Sequence, residues 1–309
     1  MTYSVSVIIP THNRTAVFAA IGSVLVQRAA EFELIVVDDG STDDTWLELR
    51  RLAAKAPATM RVLRTENRGV AAARNAGIAM AQAPLAAFLD SDDLWAPGKL
   101  MRQLEFMNLH PQCEISQTDE IWLRHGRRVN PGARHRKRSG DIFTDSLRTC
   151  LISPSAVILR TECLREAGGF DEDMTAAEDY DLWLRILVNH EAGYIDVPLV
   201  TRRAGHPDQL STAVEAIDRF RILALLKLLA RADLSAARRE AVCDVLAEKC
   251  AIYAKGLERR GHRDAAGFLL GLRAGADGAW RTGADEGVAS ATAVMRSHLK
   301  CGSPTGLVR

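Results

Sequence analysis

The sequence predicts an α/β fold in which helices cover both faces of an open, largely parallel β-sheet. One indication is that short apolar runs rich in Val and Ile alternate with helical patterns over the first third of the chain. Such alternation is typical of βαβ units, which set parallel strands side by side. A second indication is that these runs lack polar alternation, as expected of strands buried on both faces.

Each element can be placed along the chain. The predicted strands of the first part are residues 5–10, 34–37, 60–63 and 85–89. The helices predicted between them are residues 15–27, 43–55 and 69–81. Further strands are predicted at residues 115–123, 156–159 and 194–200, and the pattern is helical from residue 211 onward. The apolar stretch 220–229 in that region predicts a packed helical bundle, although a membrane-docking face would have a similar character.

Carboxylates cluster where two of these strands end. Asp38 and Asp39 follow the second strand directly, and Asp90, Asp92 and Asp93 follow the fourth. Because ligands of open α/β sheets bind at the carboxyl ends of the strands, we expect these acids to line one crevice. Like charges this close repel one another, and a hard divalent cation shared with substrate phosphates would balance them. The alternative is that the acids only form turns that close the strands.

Length and composition limit the kinds of protein that this chain can be. A chain of 309 residues is long enough for one main domain with an appendage. Its formal charge is only +1, from 40 basic and 39 acidic side chains, which predicts no general attraction to nucleic acid. The first strand begins close to Met1 and no apolar stretch is long enough to span a bilayer, so we expect neither a signal peptide nor a membrane span. The six cysteines form no C-x-x-C pair, which is typical of reduced thiols in a cytoplasmic protein.

A series of motifs resembles, in the same order, those of family 2 glycosyltransferases, which have the GT-A fold. The motifs are residues 5–14 (VSVIIPTHNR), 36–43 (VVDDGSTD), 67–69 (NRG), 73–78 (ARNAGI), 88–93 (FLDSDD) and 178–185 (EDYDLWLR). Several motifs in the right order are a strong signal, whereas any one of them would be weak. The resemblance covers roughly residues 3–205 and implies a Rossmann-like mixed sheet flanked by helices, with a C-terminal helical extension. It does not fix the sugar or the acceptor.

The resemblance also implies a division of the chain into domains. Residues 1–210 would be the glycosyltransferase domain, with a nucleotide-sugar-binding half at 1–110 and an acceptor and catalytic half at 111–210. The helical pattern predicts an extension at 211–275. Residues 276–309 are rich in Gly, Ala, Ser and Thr, which predicts a loosely ordered tail.

In this family the nucleotide-diphospho-sugar donor lies across the carboxyl ends of the strands. The resemblance therefore implies that Pro10, Thr11, His12 and Asn13 line the nucleoside pocket and that Asp39 accepts a hydrogen bond from the base. Family members often have Tyr where this chain has His12, and an imidazole can also stack on a base. Arg74 would lie close to the diphosphate. The alternative for Arg74 is a structural ion pair with Asp38 or Asp90.

The resemblance implies a divalent metal ion, Mg²⁺ or Mn²⁺, as the cofactor. Asp92 would be the main ligand, Asp90 would bind the ribose or share the ion, and Asp93 is a candidate second ligand. The ion would act as a Lewis acid on the leaving diphosphate. His206 is a further candidate ligand, in a polar loop at residues 202–211 that would close over the donor.

The acidic motif implies a catalytic base that takes the proton of the acceptor hydroxyl. Asp179 is the candidate, and direct displacement by the activated acceptor would invert the anomeric centre. The alternative is structural, because Thr175 and Glu178 have the spacing of a capping box at a helix N-terminus. Both can hold, with Glu178 as the cap and Asp179 as the base. Trp183, at helical spacing with apolar neighbours, is predicted to lie in the core.

The segment 124–138 has seven Lys or Arg residues and two His residues. Such a run is either a solvated loop or a site that captures an anionic acceptor, such as a lipid diphosphate or an acidic glycan. The predicted partners are therefore the nucleotide-sugar donor and a glycan, lipid-linked or other hydroxyl acceptor, with peripheral contact at the inner face of the membrane as a further expectation.

Two other enzyme classes that begin with βαβ units are excluded. Dehydrogenases and sugar-nucleotide pyrophosphorylases need a Gly-rich phosphate loop after the first strand, where this chain has residues 10–14 (PTHNR). One alternative stays open, a non-catalytic nucleotide-sugar-binding protein of the same fold. The acids at Asp39, Asp90, Asp92 and Asp179 favour an enzyme of glycan biosynthesis over such a binder.

Overall fold

The computed structural model describes residues 3–28, 31–56, 59–205, 217–283 and 287–300. The chain divides into two compact units. The first consists of Met1–Ile142, Leu151–Thr175 and Asn189–His206, and the second of Phe143–Cys150, Ala176–Val188 and Pro207–Arg309. This division differs from the predicted boundary at residue 210, because two short segments from the middle of the chain belong with the C-terminal helices.

The first unit is built on a mixed sheet of nine strands within the described residues. The strands are β1 (Val5–Thr11), β2 (Phe32–Asp38), β3 (Met60–Arg64), β4 (Leu85–Phe88), β5 (Leu94–Trp95), β6 (Ile115–Arg124), β7 (Arg127–Val129), β8 (Val157–Arg160) and β9 (Ala192–Ala204). Their order is β3-β2-β1-β4-β8-β6-β9-β5, and β7 pairs with β6. β1 to β4 are parallel, whereas β8 is antiparallel to both β4 and β6. The predicted mixed sheet is confirmed.

Helices flank this sheet. They are α1 (Val17–Leu25), α2 (Thr45–Ala53), α3 (Val70–Met80) and α4 (Lys99–Leu109), with a further short helix, α6 (Thr161–Glu166), after β8. All seven residues of β1 are buried, as expected for a central strand covered on both faces. Gly77 lets α3 approach β1 closely, because a Cβ at this position would lie 2.5 Å from a methyl carbon of Ile8. This contact fixes α3 over the strand that leads to the candidate site.

The second unit is helical. Its helices are α5 (Phe143–Arg148), α7 (Glu178–Leu187), α8 (Asp218–Leu229), α9 (Ala236–Arg259), α10 (Arg263–Asp277) and α11 (Val288–Lys300). The apolar residues of α8, from Phe220 to Leu229, are buried, so the predicted helical packing is confirmed and this stripe is not a membrane-docking face. Trp183 on α7 is also buried, as predicted. No helix in the described part of the chain combines the length and apolar character needed to cross a bilayer.

Helix α11 differs from the loosely ordered tail predicted for residues 276–309. Val288, Ala291, Met295 and Leu299 are buried, at spacings of three and four residues. These spacings form the apolar stripe of an amphipathic helix, which the high content of small residues concealed. Residues 301–309 lie outside the described part of the chain.

Candidate active site

The carboxyl ends of β1, β2 and β4 meet at one edge of the sheet. Thr11 at the end of β1 is opposite Asp38 at the end of β2, and Ile8 is opposite Phe88 at the end of β4. The amide of Asp39 donates to the carbonyl of Thr11 at 2.8 Å, which continues the pairing beyond the strands. The structure therefore brings the acids that follow β2 and those that follow β4 to the same sheet edge.

His12 is held in a defined orientation beside Asp39. Its Nδ1 lies 2.8 Å from the backbone carbonyl of Asp39, and because a carbonyl only accepts, Nδ1 must donate. In the neutral imidazole, Nε2 is then an acceptor, and it lies 3.1 Å from the side-chain nitrogen of Asn13 and 3.3 Å from that of Asn67. Asn67 begins the motif at residues 67–69, from which no role was predicted for it, and in the structure it helps to fix the His12 ring.

Asn13 joins the loop after β1 to the loop after β2. Its φ of 45° lies in the left-handed region, which Asn tolerates better than most residues. In this conformation its Oδ1 accepts from the backbone amides of Thr42 at 2.7 Å and Asp43 at 3.3 Å. The backbone amide of Asn13 donates to Ser41 Oγ at 2.9 Å. The predicted nucleoside-binding residue thus also shapes the pocket wall.

Asp39 organises the turn that precedes α3. Its Oδ1 accepts from the amide of Arg68 at 3.0 Å and its Oδ2 from the amide of Gly69 at 2.8 Å. Gly69 has φ 92°, a conformation that favours glycine. Oδ1 also accepts from the Thr65 hydroxyl at 3.3 Å, whereas Oδ2 keeps a second lone pair with which the predicted bond to a nucleobase is compatible. Pro10 and Thr11 are buried next to this group, and the Thr11 hydroxyl has no hydrogen-bond partner among the described residues.

In the acid turn, residues 90–93, two of the three acids pair with arginines. Arg74 Nη2 donates to Asp90 Oδ1 at 2.7 Å, and Arg14 Nη1 donates to Asp92 Oδ2 at 2.6 Å. The side chains of Asp90 and Asp92 are 30% and 20% exposed, so both remain accessible from solvent. Of the two ion pairs considered for Arg74, the structure has the one with Asp90, whereas Asp38 lies 3.4 Å from Arg64. Proximity of Arg74 to a donor diphosphate stays a prediction.

Asp93 is in a different environment from its two neighbours. It is buried, its Oδ2 accepts from Ser155 Oγ at 2.7 Å, and its Oδ1 accepts from the amide of Arg203 at 2.9 Å. Burial, followed by the charges of Asp90 and Asp92, raises the pKa of Asp93 to about 8. Arg203 Nε also donates to the backbone carbonyl of Asp92. These contacts give Asp93 the geometry of a residue that ties the acid turn to β9, and its role as a second metal ligand stays a prediction.

The donor set of the acid turn fits a divalent metal ion that is completed by phosphate. Mg²⁺ is commonly held by one or two carboxylates together with the phosphates of a substrate. Asp90 and Asp92 supply two accessible carboxylates, and within the described ranges no group of three His, Cys, Asp or Glu side chains is arranged to hold a metal ion. His206, the further candidate ligand, lies outside the described residues.

Asp179 lies in the second unit, at the start of α7. The predicted capping box is wrong, because the N-cap is Ala177, with φ 56° and no side-chain cap, and Glu178 is the first helical residue. Glu178 is buried, whereas Asp179 is only partly buried. Asp179 Oδ2 lies 3.7 Å from the thiol of Cys150, a neighbour that the sequence did not indicate. The role of Asp179 as the base stays a prediction.

Most of the basic segment at 124–138 is exposed, with His135 and Lys137 as the exceptions. Arg134, Arg136 and Arg138 are exposed, whereas the side chain of Lys137 is only 6% exposed, with its Nζ 3.1 Å from Glu120 Oε2 and 3.0 Å from the carbonyl of Thr118. Burial comes first among the causes that lower the pKa of Lys137. Lys137 is therefore a structural anchor of the segment and not part of a surface for an anionic acceptor.

Comparison with known proteins decides the family. The model of the family described as glycosyl transferase family 2 matches residues 6–162, half of the chain. The chain belongs to this family. An uncharacterised glycosyltransferase of Rickettsia felis is 37% identical over 196 residues, covering 63% of this chain but only 32% of the relative. The chain thus spans about a third of the length of that relative.

One relative has a defined activity in its name. It is WfgD of Escherichia coli, a UDP-Glc:α-D-GlcNAc-diphosphoundecaprenol β-1,3-glucosyltransferase, which is 31% identical over 63% of this chain and 74% of its own length. Among solved structures, TarS of S. aureus matches 97% of this chain and 52% of its own, with a TM-score of 0.65 and 20% identity. TarS 1–349 in complex with UDP-GlcNAc matches 93% of this chain with a TM-score of 0.61. These structural matches confirm the GT-A fold predicted from the sequence.

Proposed function

We propose that this family 2 protein is an inverting glycosyltransferase that moves a sugar from a nucleotide-diphospho-sugar to an acceptor hydroxyl. The observation that carries the proposal is the single sheet edge where Asp39, His12 and the acid turn come together. WfgD uses a UDP-sugar by name and the TarS structure contains UDP-GlcNAc, so a uridine nucleotide is the first donor to test. By analogy with WfgD, we propose a lipid-linked diphosphate sugar as the acceptor class.

The chain's own residues have separate tasks in this reaction. His12 would stack on the base, Asp39 would accept a hydrogen bond from it, and Asp90 and Asp92 would hold a divalent cation beside the diphosphate. That cation would supply Lewis-acid stabilisation of the charge that develops on the leaving diphosphate. Asp179 would take the proton of the acceptor hydroxyl while its oxygen bonds to the anomeric carbon. The bond from that carbon to the diphosphate breaks on the opposite face, and the diphosphate leaves with the electron pair.

The decisive experiment is transfer of a radiolabelled sugar from UDP-sugars to lipid-diphosphate acceptors by the purified chain, with and without Mn²⁺. We expect metal-dependent product, and Asp92→Asn should reduce turnover by at least about 10³-fold, because the leaving diphosphate loses its electrostatic partner. Near wild-type turnover in Asp92→Asn would refute the metal assignment.

The same experiment separates catalysis from the alternative, a non-catalytic binder. A binder would be stabilised against heat by a UDP-sugar, through mass action, without forming any product.

For localisation, we propose a cytoplasmic protein that works at the inner face of the membrane, where a lipid-linked acceptor presents its diphosphate. Fractionation of cells that produce the full-length protein tests this, and recovery outside the cytoplasm would contradict it.

A further inference from the structure

Two carboxylates of the acid turn have cationic partners before any metal ion binds. Asp90 and Asp92 face two guanidinium groups, one from Arg74 and one from Arg14, at 2.7 and 2.6 Å. Asp93 is buried beside them against Ser155 and the Arg203 amide, and Arg203 Nε donates to the backbone carbonyl of Asp92. A divalent cation that entered alone would therefore add positive charge to carboxylates that already have cationic partners and would compete with a guanidinium for its ligand oxygen.

The two arginines are held very differently. Arg74 lies in the second turn of α3, its side chain is 4% exposed, and its guanidinium lies 5.0 Å from the centre of the Phe170 ring. Phe170 in turn packs edge-on against Phe88 at the end of β4, so Arg74 is enclosed. Arg14 lies in the loop after β1, next to the left-handed Asn13, and its side chain is 18% exposed. Arg14 is thus the partner that can move without disturbing a helix or the core.

We propose that Arg14 is the resident counter-ion of Asp92, and that it gives way to a divalent cation only when the cation arrives with a diphosphate. The negative charge of the diphosphate offsets the cation, and it also gives the displaced guanidinium a new partner that matches its planar donor geometry. Arg14 is a positioning residue in this scheme. It makes metal and nucleotide binding mutually dependent, so the cation alone binds weakly.

The test measures binding of Mn²⁺ alone to the full chain, from the loss of the free-ion electron paramagnetic resonance signal. Arg14→Met should bind Mn²⁺ about tenfold more tightly than the wild type, because the guanidinium that competes for Asp92 Oδ2 is removed; tenfold corresponds to about 1.4 kcal/mol. Arg14→Lys, which keeps the charge, should stay close to the wild type. Arg14→Gln repeats the comparison if the methionine disturbs the loop, and circular dichroism confirms that each variant is folded.

The matched control is Arg64→Met. Arg64 lies at the end of β3 and its Nε is 3.4 Å from Asp38, so its removal takes the same charge from the same sheet edge without touching the acid turn. It should leave Mn²⁺ affinity unchanged. Equal tightening in Arg64→Met, or no tightening in either Arg14→Met or Arg14→Gln, would overturn the proposal.

A second arm adds UDP and is the only one that rests on the proposed function. In the wild type UDP should raise Mn²⁺ affinity strongly, and in Arg14→Met this enhancement should fall by about tenfold, since coupling between two ligands is reciprocal. An enhancement of the same size in both proteins would contradict a role for Arg14 in the coupling. The first arm uses neither donor nor acceptor, so its outcome is independent of whether the chain transfers a sugar.

Discussion

Two acidic motifs of three acids each, one in each unit, differ in how many of their acids are buried. The acid turn has Asp90, Asp92 and Asp93, and the start of α7 has Glu178, Asp179 and Asp181. Of the acids in the acid turn only Asp93 is buried, against Ser155, whereas at the start of α7 both Glu178 and Asp181 are buried. Asp181 is paired with Arg185 and Lys227. Position in the motif therefore does not determine which acids are buried, and the three acids that stay partly exposed, Asp90, Asp92 and Asp179, are the ones predicted to act in the reaction.

The environment of Asp181 shows how strong this separation is. Its side chain is 1% exposed, and its two oxygens lie 2.8 Å from Arg185 and 2.6 Å from Lys227. Both contacts are within the helical unit: Arg185 lies one turn further along α7, and Lys227 joins α7 to α8. Asp179, two residues earlier, has the thiol of Cys150 as a neighbour at 3.7 Å. The resemblance of the motif names Asp179 as the candidate base, and the structure adds that Asp181 is buried and paired whereas Asp179 is only partly buried.

The largest effect is expected when the predicted base, Asp179, and its buried neighbour, Glu178, are replaced one at a time and their transfer rates are compared. Asp179→Asn keeps the size of the side chain but cannot accept a proton, so the single-turnover rate should fall about 10²- to 10⁴-fold. Glu178→Gln should lose much less rate. The measurement is single-turnover transfer at saturating donor and acceptor. If Glu178→Gln were the inactive enzyme and Asp179→Asn the active one, the two roles would be reversed.

The next largest effect is expected on stability. Asp181→Asn leaves Arg185 and Lys227 without their carboxylate, and breaking such a largely buried pair should lower the free energy of unfolding by about 3 kcal/mol. Asp179→Asn is the matched control and should change it by less than about 0.5 kcal/mol, as partly exposed positions usually do. Urea unfolding followed by circular dichroism measures both. A larger loss in Asp179→Asn than in Asp181→Asn would mean that burial does not distinguish the two acids.

The sequence was enough to predict the strands that build the site but not the state of each acid. β1, β2 and β4 are short apolar runs, and their carboxyl ends follow from the parallel arrangement. The burial of Asp93 depends on Ser155 and Arg203, which are 62 and 110 residues away in the chain. No local pattern encodes such contacts. The two-residue strand β5 and the three-residue β7 were missed because so few residues show no periodicity.

Of two other features that were not predicted, one had a signal in the sequence and one did not. The stripe at Val288, Ala291, Met295 and Leu299 has helical spacing, and it was masked by the overall content of small residues. Arg14 was part of the first motif, but a basic side chain in a loop gives no hint of its partner. Its pair with Asp92 joins residues 78 positions apart and is visible only after the sheet has brought the ends of β1 and β4 together.

The comparison extends from acids to cations in the basic segment. Lys137 is buried against Glu120, whereas Arg134, Arg136 and Arg138 are exposed, so only the arginines are available to an anionic acceptor. Replacing the three arginines together by Ser, with Lys137 kept, should raise KM for a lipid-diphosphate acceptor about tenfold and leave donor affinity unchanged. Basic residues near an anionic surface contribute up to about 1 kcal/mol each, which makes tenfold a conservative expectation for three.

Steady-state kinetics at low and high salt check this last prediction. Screening weakens attraction between exposed charges, so the difference in KM between wild type and variant should shrink as salt is raised. The control replaces Arg50, Arg51 and Arg102, which are also exposed in the first unit, by Ser and removes the same net charge elsewhere. An equal rise in KM in the control would assign the effect to overall charge. Unchanged kinetics in both proteins would leave the segment as a solvated loop held by Lys137.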